Sequence, residues 1–142
     1  MASLPGAAGT WYHGGIPGLK RGQKILPPAV TGALSCADKR LGAPAAEQAK
    51  IDAVHDANVV YLAASLQDAR LWAALAPAYG GRNRGGDLYE VTPDGPLAPD
   101  PDYLPGDGGS VTCCSATIVR VVERRVPRPS PEAVAALWAA AR

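Results

Sequence analysis

The apolar positions of this 142-residue chain fall in short runs, so the pattern predicts several short strands and few helices. Thr10–His13 (TWYH) is a β-prone run that Gly14 and Gly15 close, and Lys20–Pro28 reads as a loop leading into a brief strand ended by two prolines. Thr31–Lys50 reads as mixed loop, with weak helical character over Pro44–Val54. Asn58–Ala63 (NVVYLA), rich in β-branched and aromatic residues, predicts a buried strand.

The clearest helix is Leu66–Ala76. Ser65 stands in the N-cap position, Asp68 lies three residues on and suits the positive end of the helix dipole, and Leu71, Trp72 and Leu75 form an apolar stripe. Pro77 and Gly80–Gly81 end it. Beyond a turn at Gly81–Gly86 come a strand over Asp87–Thr92, a long loop over Pro93–Gly109, and the strongest strand, Ala116–Arg125. Its alternation sets Ile118 with Arg120 on one face and Val119 with Val121 on the other. Pro131 behind Ser130 starts a last helix, whose face of Val134, Leu137, Trp138 and Ala141 predicts packing on the sheet.

Composition bears on whether such a chain folds. Only 28 residues are Leu, Ile or Val and none is Phe, close to the level of roughly 20% below which disorder becomes a candidate. The net charge of +1 removes the second condition for disorder and argues against a dedicated nucleic-acid or membrane-surface protein. No apolar stretch approaches the roughly 18 residues of a membrane span, and Met1–Thr10 lacks the charged and apolar regions of a secretion signal. A single domain over 1–142 with a flexible 1–9, sited in the cytoplasm, is the expectation. Three cysteines, two of them adjacent at Cys113–Cys114, form neither a disulfide framework nor a ligand spacing, and read as reduced structural thiols.

Chemically capable residues are few. There is no Walker A loop, dinucleotide-binding glycine motif, nucleophile elbow or HExxH, and His13 and His55 lack companions for a metal site. His13 beside two glycines, Tyr61 in an apolar strand, and Asp94, Asp100, Asp102 and Asp107 in the long loop remain. Singly, each reads as a turn or core residue.

In chain order they form a more specific pattern. Tyr12-His13-Gly14, then Val60-Tyr61-Leu62-Ala63 leading into a helix with Asp68-Ala69 and Trp72, then Gly86–Pro96 (GDLYEVTPDGP) and Asp100-Pro101-Asp102, resembles the small rifamycin ADP-ribosyltransferases over Trp11–Val122. The resemblance implies an α+β fold, a split antiparallel β-sandwich with peripheral helices, and the His-Tyr-acid site of the NAD-dependent ADP-ribosyltransferases. It implies that His13 bonds a ribose hydroxyl of NAD, the Gly14 backbone holds the nicotinamide carboxamide, and Tyr61 stacks on the nicotinamide ring. It further implies that Asp100 steadies developing positive charge and that Ser65 is a further cofactor contact. Such chemistry needs a carboxylate near an oxocarbenium-like centre rather than a strong nucleophile.

The sequence departs from that family at three places. Gly15 stands where a hydroxyl residue is usual, Ala63 where Thr is usual, and Ser110-Val111-Thr112-Cys113 where an arginine-bearing segment is usual. Asp102 is an alternative to Asp100 as the acid. The expected activity is transfer of ADP-ribose from NAD, the co-substrate, to a rifamycin-like antibiotic or a macromolecule. A non-catalytic binding module of the same fold is the alternative. RNA 2′-phosphotransfer is a third class, whose further His and Arg motifs are not evident. Arg82, Arg84, Arg120, Arg124, Arg125 and Arg128 are a candidate acceptor surface or a solvated face.

Overall fold

The structure is a computed structural model that describes residues 9–32, 43–75, 83–100 and 110–140. Within them the strands are β1 (Trp11–Gly15), β2 (Lys24–Ile25), β3 (Val60–Ala63), β4 (Asp87–Pro93), β5 (Ala98–Pro99), β6 (Ser110–Cys113) and β7 (Ala116–Glu123). The helices are α1 (Pro28–Thr31), α2 (Ala45–Val54), α3 (Leu66–Ala74) and α4 (Pro131–Ala140). All strand pairs are antiparallel, in one sheet ordered β2-β7-β4-β1-β3-β6-β5.

Two sheets were expected, and the ladder shows one sheet pinched in the middle. β1 pairs with β4 along all five of its residues but meets β3 at the single pair Tyr12↔Ala63. The halves β2-β7-β4-β1 and β3-β6-β5 therefore part after Tyr12. Both contribute to one core cluster, with Trp11, Tyr89, Val91 and Ile118 from one half and Val60, Leu62, Val111 and Cys113 from the other. Burial of that apolar surface holds the halves together where the ladder does not.

The opposite face of β1 carries α3. Ser65 Oγ accepts from the backbone N–H of Asp68 and starts the helix, and Ala69 and Ala73 are completely buried against the sheet. The approach is so close that a Cβ on Gly14 would collide with the Ala69 carbonyl oxygen, and one on Gly85 with that of Ala73. Gly14 and Gly15 thus lie inside β1, paired with Leu88 and Asp87, rather than closing it. α3 ends at Ala74, two residues short of expectation, because its last carbonyls find partners elsewhere. Gly86 N–H donates to Ala73 O at 2.9 Å and Arg128 Nη1 to Ala74 O at 3.0 Å. Residues 76–82, including Arg82, lie outside the described residues, as do 1–8 of the flexible segment expected at 1–9.

Three further expectations change. The alternation of β7 breaks at a bulge, since Val91 pairs with Ile118 but Glu90 with Arg120. Val119 is the extra residue and is 41% exposed, so Val121 joins Ile118 at the core instead of lying opposite it. α4 does not cover the sheet with a stripe: it buries Val134 alone and leaves Leu137 37% exposed, and alanines fill half of its length. Within the long loop, Pro93 completes β4 and Ala98–Pro99 forms the edge strand β5. Among the described residues no helix is long and apolar enough to cross a membrane.

Gly14→Ala and Gly85→Ala each force backbone apart from backbone, so each is expected to destabilise the fold by about 2 kcal/mol or more in urea titration. A Gly22→Ala control, where a Cβ meets no atom but φ is +88°, tests backbone strain without a clash.

Candidate active site

The site is built where the sheet parts. Beyond Tyr12 the β3 side of β1 has no ladder partner, and the His13 imidazole fills that place. Its Nδ1 donates to the Tyr61 carbonyl at 2.8 Å, replacing a backbone ladder bond with a side-chain one. Burial holds the His13 pKa below its ordinary 6.5 and outweighs the opposing effect of the bond to Tyr61. The ring is then neutral at pH 7 with its proton on Nδ1, and Nε2 carries the lone pair. A Cβ on Gly15 would run into that Nε2, so glycine is the residue that leaves room for the imidazole where it stands. The departure at Gly15 is thereby explained by the orientation of His13.

Tyr61 is fixed at both ends. Its carbonyl accepts from His13, and its hydroxyl accepts from the Asp56 N–H at 2.7 Å. The ring packs against the second apolar cluster, built from Ala63, Ala69, Trp72, Ala73, Ala74, Leu88 and Val126. His55, just past the end of α2, stacks on it with centroids 4.9 Å apart and planes at 18°.

Asp100 follows the Pro99↔Val111 pair by one residue, which sets it beside Ser110. Ser110 pairs with Ala63, and Ala63 with Tyr12, so Tyr12, Ala63, Ser110 and Asp100 form a row across β1, β3, β6 and the residue that follows β5. Asp100 is 3% exposed, and Ser110 Oγ lies 2.6 Å from its Oδ2 and 3.2 Å from the Leu62 carbonyl. With one hydrogen to give, Ser110 donates to the carboxylate, at the short distance typical of a charge-assisted bond. Tyr61 and Ala63 alternate with Val60 and Leu62 of the first core, so Tyr61 shares the face of the sheet that carries the Tyr12–Asp100 row.

The structure thus joins His13 to Tyr61 directly, and Asp100 to Ser110, whose strand pairs with β3. The Cβ direction of Gly14 faces α3, and the hydroxyl of Ser65 is engaged at the α3 N-terminus. Asp102 lies outside the described residues. Asp94, another aspartate of that loop, is a turn residue, held by Lys24, Ser115 and Thr117.

Sequence reading passed over the residues that support His13 from behind. Asp87 is fully buried, and it accepts from Arg124 Nη1 at 2.7 Å, Arg125 N–H at 2.7 Å and Gly18 N–H at 2.9 Å. Burial alone raises its pKa, but these donors together hold the carboxyl below its ordinary value. Tyr89 Oη donates to the Ile16 carbonyl and accepts from Leu19 N–H, and burial pushes its hydroxyl up to about 12. Together they clamp the 16–19 turn that follows the His13 strand. Gly18 has φ +95°, which a side chain at that position would strain. The alternating run Asp87-Leu88-Tyr89 was the available signal, since a charged residue opening a strand beside a glycine turn invites a buried partner.

The arginines singled out from sequence are largely committed. Arg120 pairs with Glu90 and Arg124 with Asp87, while Arg84 donates to the Arg125 carbonyl and Arg128 to that of Ala74. Cys113 is buried with its thiol pushed up to about 11, chiefly by burial, which opposes a thiolate nucleophile. Among the described residues no group of three or more His, Cys, Asp or Glu is placed to hold a metal. No protein-family model matches the chain, and no curated protein matches it.

His13 and Asp87 predict two separate pH windows. The folded pKa of His13 lies below 6.5, so the unfolded chain takes up the proton first and stability falls as pH drops below about 6.5. Asp87, held below 3.8, contributes stability above that pH and loses it as pH falls further. Thermal unfolding from pH 8 to 3 is expected to show both declines, with His13→Gln erasing the first and leaving the second. Asp87→Ala is expected to cost about 3 kcal/mol in denaturant at pH 7, because it strands the three donors around a buried site.

Proposed function

We propose that this chain is an NAD-dependent mono-ADP-ribosyltransferase, acting in the cytoplasm, that moves ADP-ribose from NAD to an acceptor and releases nicotinamide. The observation that carries the reading is the His13 ring standing in the parting of the sheet, bonded to the Tyr61 backbone, with Asp100 held by Ser110 on the neighbouring strands. The order and spacing of Tyr12-His13-Gly14, Tyr61 and Asp100 support it independently, through their resemblance to the rifamycin ADP-ribosyltransferases.

In this reading Nε2 of neutral His13 accepts a hydrogen bond from a ribose hydroxyl of NAD. The Gly14 backbone meets the carboxamide, and the Tyr61 ring packs on nicotinamide, worth about 0.5–1.5 kcal/mol beyond buried area. The bond between ribose C1′ and the nicotinamide nitrogen breaks, and its electron pair leaves with the nitrogen, turning the pyridinium into neutral nicotinamide. Positive charge develops on the ribose, where the Asp100 carboxylate lowers its energy. A lone pair of the acceptor then bonds to C1′, and the acceptor's proton passes to solvent. The acceptor is a rifamycin-like small molecule or a macromolecule.

A second reading, a binding module that keeps the fold without turnover, draws on the stacking of His55 over Tyr61. Nicotinamide release from NAD separates the two. The enzyme reading expects release above background, with Asp100→Asn lowering kcat on the order of 100-fold and leaving KM for NAD nearly unchanged. His13→Gln is expected to raise KM. Absence of release with every acceptor tried, from protein shown to be folded by circular dichroism, sinks the enzyme reading.

A further inference from the structure

His55 is the one histidine that the proposed site does not use. Its residue lies half-buried, yet Nδ1 and Nε2 are both shut off from solvent and without a hydrogen-bond partner among the described residues. A neutral imidazole has one N–H to donate and one lone pair to satisfy, and a buried polar atom left unpaired is unfavourable. The contact that keeps the ring in place is its stack on Tyr61, at 4.9 Å and 18°, the offset geometry aromatic pairs prefer.

Tyr61 cannot move away from this contact. Its hydroxyl is tied to Asp56 N–H and its backbone to His13, and its ring leans on the second apolar cluster. His55 is held less tightly. Its backbone is extended at φ −64° and ψ 129° directly after α2, and a turn follows, so its side chain can swing out without unwinding the helix. Outside, both nitrogens regain water.

From this we infer that His55 is a built-in occupant of the Tyr61 stacking face, which a flat heteroaromatic amide displaces on binding. The inference rests on the proposed reading, in which that amide is the nicotinamide group of NAD. Exchange replaces one aromatic stack by another and relieves two unpaired nitrogens, so the occupant sets the ligand's threshold rather than blocking the site. If the ring leaves Tyr61 for about a tenth of the time, the apparent Kd is about tenfold weaker than that of the open site.

The chain contains two histidines, so proton NMR of the imidazoles gives two sets of ring signals, assigned with His55→Ala. Before ligand, the His55 signals are expected to lie upfield because the Tyr61 ring faces them. Titration with nicotinamide, and separately with NAD, is expected to move them toward those of an exposed histidine. By calorimetry, His55→Ala is expected to tighten binding of both probes about tenfold. His55→Leu, which fills the same space without polar atoms, is expected to raise the melting temperature and weaken binding.

Ligand binding that perturbs His13 while the His55 signals stay upfield, or equal affinity in all three proteins, overturns the displacement and leaves the ADP-ribosyltransferase reading standing. Failure of both the unaltered protein and His55→Ala to bind either probe overturns that reading, and the displacement with it. Binding by His55→Ala alone supports the occupant in its strongest form.

Discussion

The hydrogen bond from His13 Nδ1 to the Tyr61 carbonyl is the constraint on which the rest of the molecule turns. A sheet that parts between two central strands leaves backbone groups without ladder partners, and buried groups of that kind must be satisfied. The imidazole does this with one nitrogen and leaves the other available. One contact thereby closes the fold and fixes the tautomer. Burial keeps the ring neutral, so the lone pair on Nε2 persists at neutral pH.

Around that bond the molecule is rigid where His13 must be placed. Glycine at 14 lets α3 press on β1 at backbone contact, and glycine at 15 clears the ring itself. The Asp87–Tyr89 clamp fixes the turn that leaves the strand. The ion pair Arg70–Glu123, by contrast, ties α3 to β7 with both partners a third or more exposed, and such pairs contribute at most about 1 kcal/mol. Packing of Ala69, Trp72 and Ala73 therefore decides where α3 sits. The alanine-rich composition is in this helix a requirement of close approach, since larger side chains on that face would push β1 and His13 out of register.

Much of this was legible in the chain. The runs at Trp11, Val60, Asp87 and Ala116 became strands near their expected bounds, and Ser65 with Asp68 marked the start of α3 because capping is a local interaction. His13, Tyr61 and Asp100 stand out by order and spacing; the structure places them on β1, on β3 and just after β5, with His13 bonded to Tyr61 and Asp100 to Ser110. Less legible were β5 and β6. Both are short and polar or proline-containing, and β6 becomes a strand only by pairing with β3, and β5 only by pairing with β6. The faces of β7 depart from simple alternation because its pairing with β4 shifts register twice, and nothing in the local sequence announces a bulge.

Sequence by itself determined the small inventory of reactive groups, the local elements, and the glycines that make close contacts possible. Tertiary structure alone decided that β1 and β3 part after one residue pair and that His13 turns into the opening. It also decided that Asp87 lies at the centre of a buried clamp and that His55 rests on Tyr61. The reason is range. Capping and alternation act over a few residues, whereas each of these contacts joins strands, turns and helix ends whose meeting depends on how the whole sheet pairs.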